Sequence, residues 1–150
     1  MTCTYKEAYD EILSAFTTAW NAGAAALVGY VPTIKYPGLD LGSIPDQTKF
    51  WARISVQTVD TRQRSLSALV GTQHKRRYDS NGLVLVQIFA PKCQIDAVEK
   101  IQSLGQLALS AFRVCPQNVT FRNQTIDELP PENGCPRLNV ITSFEYDEIY

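Results

Sequence analysis

The sequence predicts an α+β domain, a mainly antiparallel sheet with two helices packed on one face and a long basic β-excursion. Three observations lead there. Leu83 to Ala90 is an almost unbroken apolar strand, entered through the turn signal Asn81-Gly82 and stopped by Pro91. Two stretches with helical periodicity, near residues 4–22 and 94–112, are each followed by extended segments. The order helix, strands, helix, strands places both helices over one antiparallel sheet. Alternation puts Val84, Val86 and Ile88 on one side of the apolar strand and Leu83, Leu85 and Phe89 on the other, with Gln87 its one polar member. Both sides of that strand need cover: helices on one, and another sheet or another copy of the protein on the other.

The first helix rests on Tyr5, Ala8, Tyr9, Ile12, Phe16, Ala19 and Trp20, spaced by threes and fours, with Thr4 and Glu7 placed for a capping box. Gly23, Gly29 and Pro32 close it. Val31 to Tyr36 is a short strand, and the Pro- and Gly-rich stretch from Pro37 to Asp46 an ordered surface loop. From Phe50 the alternation is clean, with Ala52, Ile54 and Val56 inward and Arg53, Ser55 and Gln57 outward. Arg62, Arg64, Lys75, Arg76 and Arg77 then flank the apolar piece Leu66–Val70, an excursion between two paired strands with a basic tip standing off the body. The second helix carries Ala97, Val98, Ile101, Leu104, Ala108, Ala111 and Phe112 on its stripe. Gly105 within it costs about 1 kcal/mol against Ala, a loss that marks a close approach to the sheet. Val119–Ile126 and Leu138–Tyr146 are the last strands, separated by a turn-rich segment containing Pro130, Pro131 and Gly134.

A chain of 150 residues, 45% hydrophobic, suits one domain spanning residues 1–150. Its 14 basic and 15 acidic residues leave a formal charge of -1, against a surface built wholly for nucleic acid or anionic membrane. No apolar run approaches the roughly 18 residues needed to cross a bilayer, and no signal-peptide pattern opens the chain. An intracellular site of synthesis is therefore expected. Cys3, Cys93, Cys115 and Cys135 lie far apart, so they read as reduced, hydrophobic thiols and not as metal ligands. The sequons at Asn118 and Asn123 carry meaning only on a secreted route.

Catalytic chemistry finds little purchase. His74, the one histidine, sits beside Lys75 in the basic excursion, far from any nucleophile and orienting acid. Asp127-Glu128 and Asp147-Glu148 are adjacent pairs, whose members point apart in extended chain. No Gly-rich phosphate loop opens a helix. The expectation is a protein with no enzymatic activity, catalytic residue, metal or cofactor. Charge patterning is more informative: Asp127, Glu128, Glu132, Glu145, Asp147 and Glu148 make the C-terminal part as acidic as the excursion is basic. Placed on different sides of the subunit, two such patches suit a head-to-tail contact that closes into a ring. Exposed pairs are worth about 0 to 1 kcal/mol each, so they would set register while apolar contacts supply affinity.

These segments together resemble the tail terminator (tail completion) proteins of long-tailed bacteriophages. The resemblance is carried by Gly82-Leu83-Val84-Leu85-Val86-Gln87-Ile88-Phe89-Ala90-Pro91-Lys92, by the helix through Ala97, Ile101, Leu104, Ala108 and Phe112, and by the closing strand Val140–Glu148. The opening helix and Phe50-Trp51-Ala52-Arg53 fit its early part; Cys93, where a glycine is expected, departs from it. What it implies is a structural virion protein in the neck region of the tail, made in the host cytoplasm. Such proteins form a ring, usually a homo-hexamer, that ends tail-tube polymerisation and offers the head a docking surface. The implied partners are further copies of the chain, tail tube protein and a head-tail connector or neck protein. DNA passes through the ring without sequence-specific binding, and no membrane is involved. On that reading Arg62, Arg64, Lys75, Arg76 and Arg77 form an arm that grips a neighbouring subunit or the tube, and Asp127, Glu128, Glu145, Asp147 and Glu148 form the complementary acidic face. The alternatives are another neck component, connector or tube subunit, or a nucleic-acid-binding module that uses the basic excursion.

Overall fold

Thr4 opens the first helix, α1 (Tyr5–Val28), with the capping box that its spacing to Glu7 suggests. Glu7 N–H donates to Thr4 Oγ1 at 3.2 Å, and Thr4 N–H to a Glu7 carboxylate oxygen at 2.7 Å. The helix is longer than its apolar stripe alone indicates. It runs through Gly23, which lies under Leu107: a Cβ there would stand 2.8 Å from Leu107 Cδ1. Contact with the second helix thus sustains α1 until Gly29, whose left-handed φ of 84° ends it. Ala8, Ile12, Phe16, Trp20 and Ala24 are buried, and Trp20 Nε1 donates to Pro32 O at 3.0 Å. Tyr5 belongs to the periodic stripe in sequence but is 54% exposed at the helix start, where it borders a shallow recess with Val56 and Tyr146 of the sheet.

The computed structural model describes residues 2–38, 48–64, 68–70, 73–92, 94–114, 117–132 and 134–149. Most of the predicted loop from Pro37 to Asp46, together with Cys93 and Cys115, lies outside the described residues. So do the side chains of residues 68–70 and of Gln73 and His74. Along the chain follow β1 (Thr33–Lys35), β2 (Trp51–Gln63), β3 (Ala68–Val70), β4 (Gln73–Lys75), β5 (Arg77–Phe89), α2 (Ala97–Ala111), β6 (Thr120–Glu132) and β7 (Cys135–Ile149). Five strands form one sheet in the order β1-β2-β5-β7-β6, antiparallel except for the β1–β2 pair; β3 and β4 form a separate hairpin. The α+β architecture predicted from sequence is the one observed.

Both helices cover the same face. Their buried side chains meet Ala52 and Ile54 of β2, Val84, Val86 and Ile88 of β5, and Leu138, Val140 and Phe144 of β7 in one core. Gly105 is the close contact its sequence position signals: a Cβ there would stand 2.7 Å from Leu138 Cδ2. Two buried hydroxyls are paired, Thr142 Oγ1 donating to Arg122 O at 3.1 Å and Ser80 Oγ bonding Thr61 Oγ1 at 3.0 Å, whereas among the described residues Asn139 Oδ1 and Glu148 Oε1 are buried without a hydrogen-bond partner.

Two expectations are corrected. Asn81-Gly82 is not a turn but the middle of β5, where Gly82 pairs with Thr58 and Phe144. Its glycine is needed for another reason: a Cβ there would stand 2.1 Å from Gln57 O, beside the β-bulge between Thr58 and Asp60. That bulge lets β2 and β5 stay paired as far as Gln63 and Tyr78, and Arg64 N–H still donates to Arg77 O at 2.7 Å. Arg62 and Arg77 therefore belong to the main sheet, and Arg64 immediately prolongs it, so the arm beyond is shorter than the sequence suggests.

Candidate assembly surface

The sheet face away from the helices is built from rows of residues set side by side by the strand register. One row is Trp51, Phe89, Arg137 and Leu129; the next is Arg53, Gln87, Asn139 and Asp127. Then come Ser55, Leu85, Ile141 and Thr125, and after them Gln57, Leu83, Ser143 and Arg122. No described helix lies over these rows. Trp51 and Phe89 stack with ring centroids 4.2 Å apart and planes 11° from parallel, and the Arg53 guanidinium stands 5.8 Å from the Phe89 centroid. Arg53 Nε donates to Gln87 Oε1 at 2.8 Å, which fixes both side chains. Leu83 is 41% exposed, and Leu85 and Ile141 are half-buried neighbours. The strand that is apolar on both sides thus has one side in the core and the other on a surface of mixed aromatic, aliphatic and polar character.

At the far end of this face the sequence-predicted cations meet carboxylates of their own subunit. Arg62 bonds Asp60 at 2.6 Å, Arg64 pairs with Asp79, and Arg77 pairs with Asp147. Arg122 joins Glu145 at 2.8 Å. Burial alone would raise the carboxyl pKa of Asp147, but hydrogen bonds from Arg77 and with Asp79, and the Arg77 charge, bring it below its ordinary value. The same hydrogen bond to Asp147 raises the Arg77 guanidinium pKa. A polar recess of about 240 Å³ here is lined by Arg62 and Arg64 together with Asp79, Glu145 and Asp147, so neither sign of charge dominates it.

The two charged sets are therefore not opposite flanks. Glu145 and Asp147 pair with Asn81 and Asp79 across β5 and lie beside the cations they were to attract in a neighbour. Glu148 is 8% exposed and faces the helix side in step with Tyr146, so it is no part of an acidic surface. Asp127 and Glu128 are exposed at the other end of β6, and Glu128 accepts from Gln102 Nε2 at 3.3 Å. Among the described residues, Lys75 and Arg76 are the predicted cations without an ion pair. Sequence reasoning passed over Asp60, Asp79 and Arg122, the partners of the charged set. Asp60 lies two residues from Arg62 on β2 and so on the same face, whereas only the cross-strand register reveals Asp79 and Arg122, and between β2 and β5 the bulge at Val59 displaces that register by one residue.

Elsewhere, the free thiol of Cys3 is buried at the start of the chain, where Cys3 N–H donates to Asp147 O at 2.9 Å. Burial, with Glu11, Glu7 and Glu148 nearby, pushes its pKa up from 9.0 to about 11, so the thiol stays protonated and unreactive near neutrality. Glu11 accepts backbone hydrogen bonds from Gln117 at 2.8 Å, Asn118 at 3.2 Å and Val119 at 2.9 Å, tying α1 to the entry of β6. Among the described residues no group of three or more His, Cys, Asp or Glu side chains is placed to hold a metal ion. None of the described helices is long and apolar enough to cross a membrane.

Strand order and two helices on one face define an α+β sheet-and-two-helix fold, and solved structures resemble it. One such structure, which carries no functional name, covers 92% of this chain and 94% of its own, at a TM-score of 0.54 and 13% identity. That likeness concerns the fold alone. No protein-family model matches the chain. No curated protein matches it either.

Proposed function

We propose that this chain is a self-assembling structural subunit of the phage tail-terminator type. On this reading it forms a ring at the head-proximal end of the tail tube, ends tube polymerisation and presents the surface on which the head docks. Its partners are further copies of itself, tail tube protein and a neck or connector protein; it has no catalytic role. The observation that carries the reading is the exposed sheet face, where Trp51, Leu83, Leu85 and Ile141 leave apolar surface that no described helix covers. A strand apolar on both faces suits a subunit whose second face is covered by assembly. The arm narrows to Lys75 and Arg76 in its charged part, because Arg62, Arg64 and Arg77 already hold carboxylates. That neutralisation also weakens the nucleic-acid alternative, since a phosphate would have to displace an ion pair at three of the five cations.

The test is to add the purified chain to polymerising tail tube protein and to measure tube lengths by electron microscopy. Capping at one end, with shorter tubes as the chain-to-tube ratio rises, supports the reading. Incorporation along the tube would make the chain a tube subunit, and unchanged tubes without bound chain would refute the proposal.

A further inference from the structure

We propose that copies of this chain join edge to edge, β1 of one copy pairing antiparallel with β6 of the next, so that Lys35 meets Asp127 across the seam. This rests on the self-assembly reading and adds a join at the sheet edges, which leaves the exposed face to the other partners. The sheet has two different edges, and they run in opposite directions: β1 is parallel to β2, while β5, β7 and β6 each reverse the strand before. Copies related by rotation about an axis along the strands keep their orientation, so β6 of one copy arrives antiparallel to β1 of the next with the helices on a common side. Such a contact is heterologous and closes into a ring, which leaves no free sheet edge.

Register and charge select this pairing over its rivals. Lys35, Arg53, Gln87, Asn139 and Asp127 form one row across all five strands, so the two outermost members lie level and on the same face. Among the described residues neither Lys35 nor Asp127 has an ion pair within the subunit. A two-fold join would set β1 against β1 or β6 against β6, bringing like charges together, Lys35 in the first case and Asp127 with Glu128 in the second. The even part of β6 is also at this level. Asn123, with φ 57°, and the register shift before Thr125 interrupt it on one side, and Pro130, which has no N–H to donate, bounds it on the other. Between them lie Thr125 to Leu129, opposite the three residues of β1. On the helix side Ile34 and Ile126, both packed against the core margin, become diagonal neighbours. Just past Lys35 the edge steps back along Arg53 and Ser55 beside Tyr36, leaving an open recess of about 330 Å³ next to the seam.

The experiment is sedimentation velocity on the whole chain over rising concentration, for the wild type, Lys35→Asp, Asp127→Lys and the double swap. Monomer circular dichroism is recorded alongside. The wild type should associate, each single reversal should weaken association about tenfold, and the double swap should restore it. Single variants that associate like the wild type, or a double swap that stays as weak as the singles, would overturn the seam while leaving self-assembly standing. A wild-type chain that stays monomeric at high micromolar concentration would also overturn it, and tube capping would still be decided by the tube-length assay.

Discussion

Gly82→Ala is the sharpest test of how the long sheet is held together. A Cβ at this position would meet Gln57 O at 2.1 Å and Phe144 Cζ at 2.7 Å, both far inside van der Waals contact. Phe144 is 3% exposed, and Gln57 O is backbone on a neighbouring strand, so neither can yield without moving the bulge or the core. Overpacking of this kind costs about 1–3 kcal/mol, and displacing a strand carbonyl forfeits about 1 kcal/mol of hydrogen bonding. Against that, alanine stiffens the unfolded chain, which returns about 0.4–1 kcal/mol. The net expectation is a loss of about 1–3.5 kcal/mol, a large share of the roughly 5–15 kcal/mol that holds a domain. Urea unfolding followed by circular dichroism should show a lower midpoint at unchanged slope. A variant within about 0.5 kcal/mol of wild type would refute the claim that the bulge packs directly against Gly82.

Other perturbations separate the roles of charged and buried groups. Glu11→Ala removes the acceptor for three backbone N–H groups and should cost about 2–3 kcal/mol in the same unfolding assay, with Glu11→Gln falling between. Arg76→Glu should leave the unfolding midpoint within about 0.5 kcal/mol while weakening assembly in light scattering. Arg77→Glu should lower the midpoint as well, because it puts a third carboxylate beside Asp147 and Asp79. Cys3 gives a pH signature. Its folded pKa is raised, so its contribution is complete below the unfolded value of 9.0 and is lost as pH climbs towards about 11, where the unfolded chain ionises first. Midpoints measured across that interval should fall for the wild type and fall less for Cys3→Ala.

Much of the fold was legible because periodicity and caps act locally. Thr4 with Glu7, the stripe through Ile12, Phe16 and Trp20, and the alternation from Phe50 to Val56 each identify an element without knowledge of its neighbours. Gly105 was legible too, since a glycine inside a helix needs a reason in packing. Gly82 misled because Asn-Gly is a turn signal in isolation, and only the carbonyl of Gln57, on the neighbouring strand β2 but remote in sequence, explains it. The charged site failed for the same reason. Runs of sign along the chain say nothing of register, and β5 carries Arg77 and Asp79 to the level where β7 presents Asp147. Lys35 and Asp127, 92 positions apart in number, share a row only after four strand pairings are added together.

The central claim, that this chain is a structural part which ends tail growth, is tested most directly by electron microscopy of particles assembled without it. Tails of uncontrolled length with no heads attached are the predicted result. Normal tails of fixed length, joined to filled heads, would contradict it.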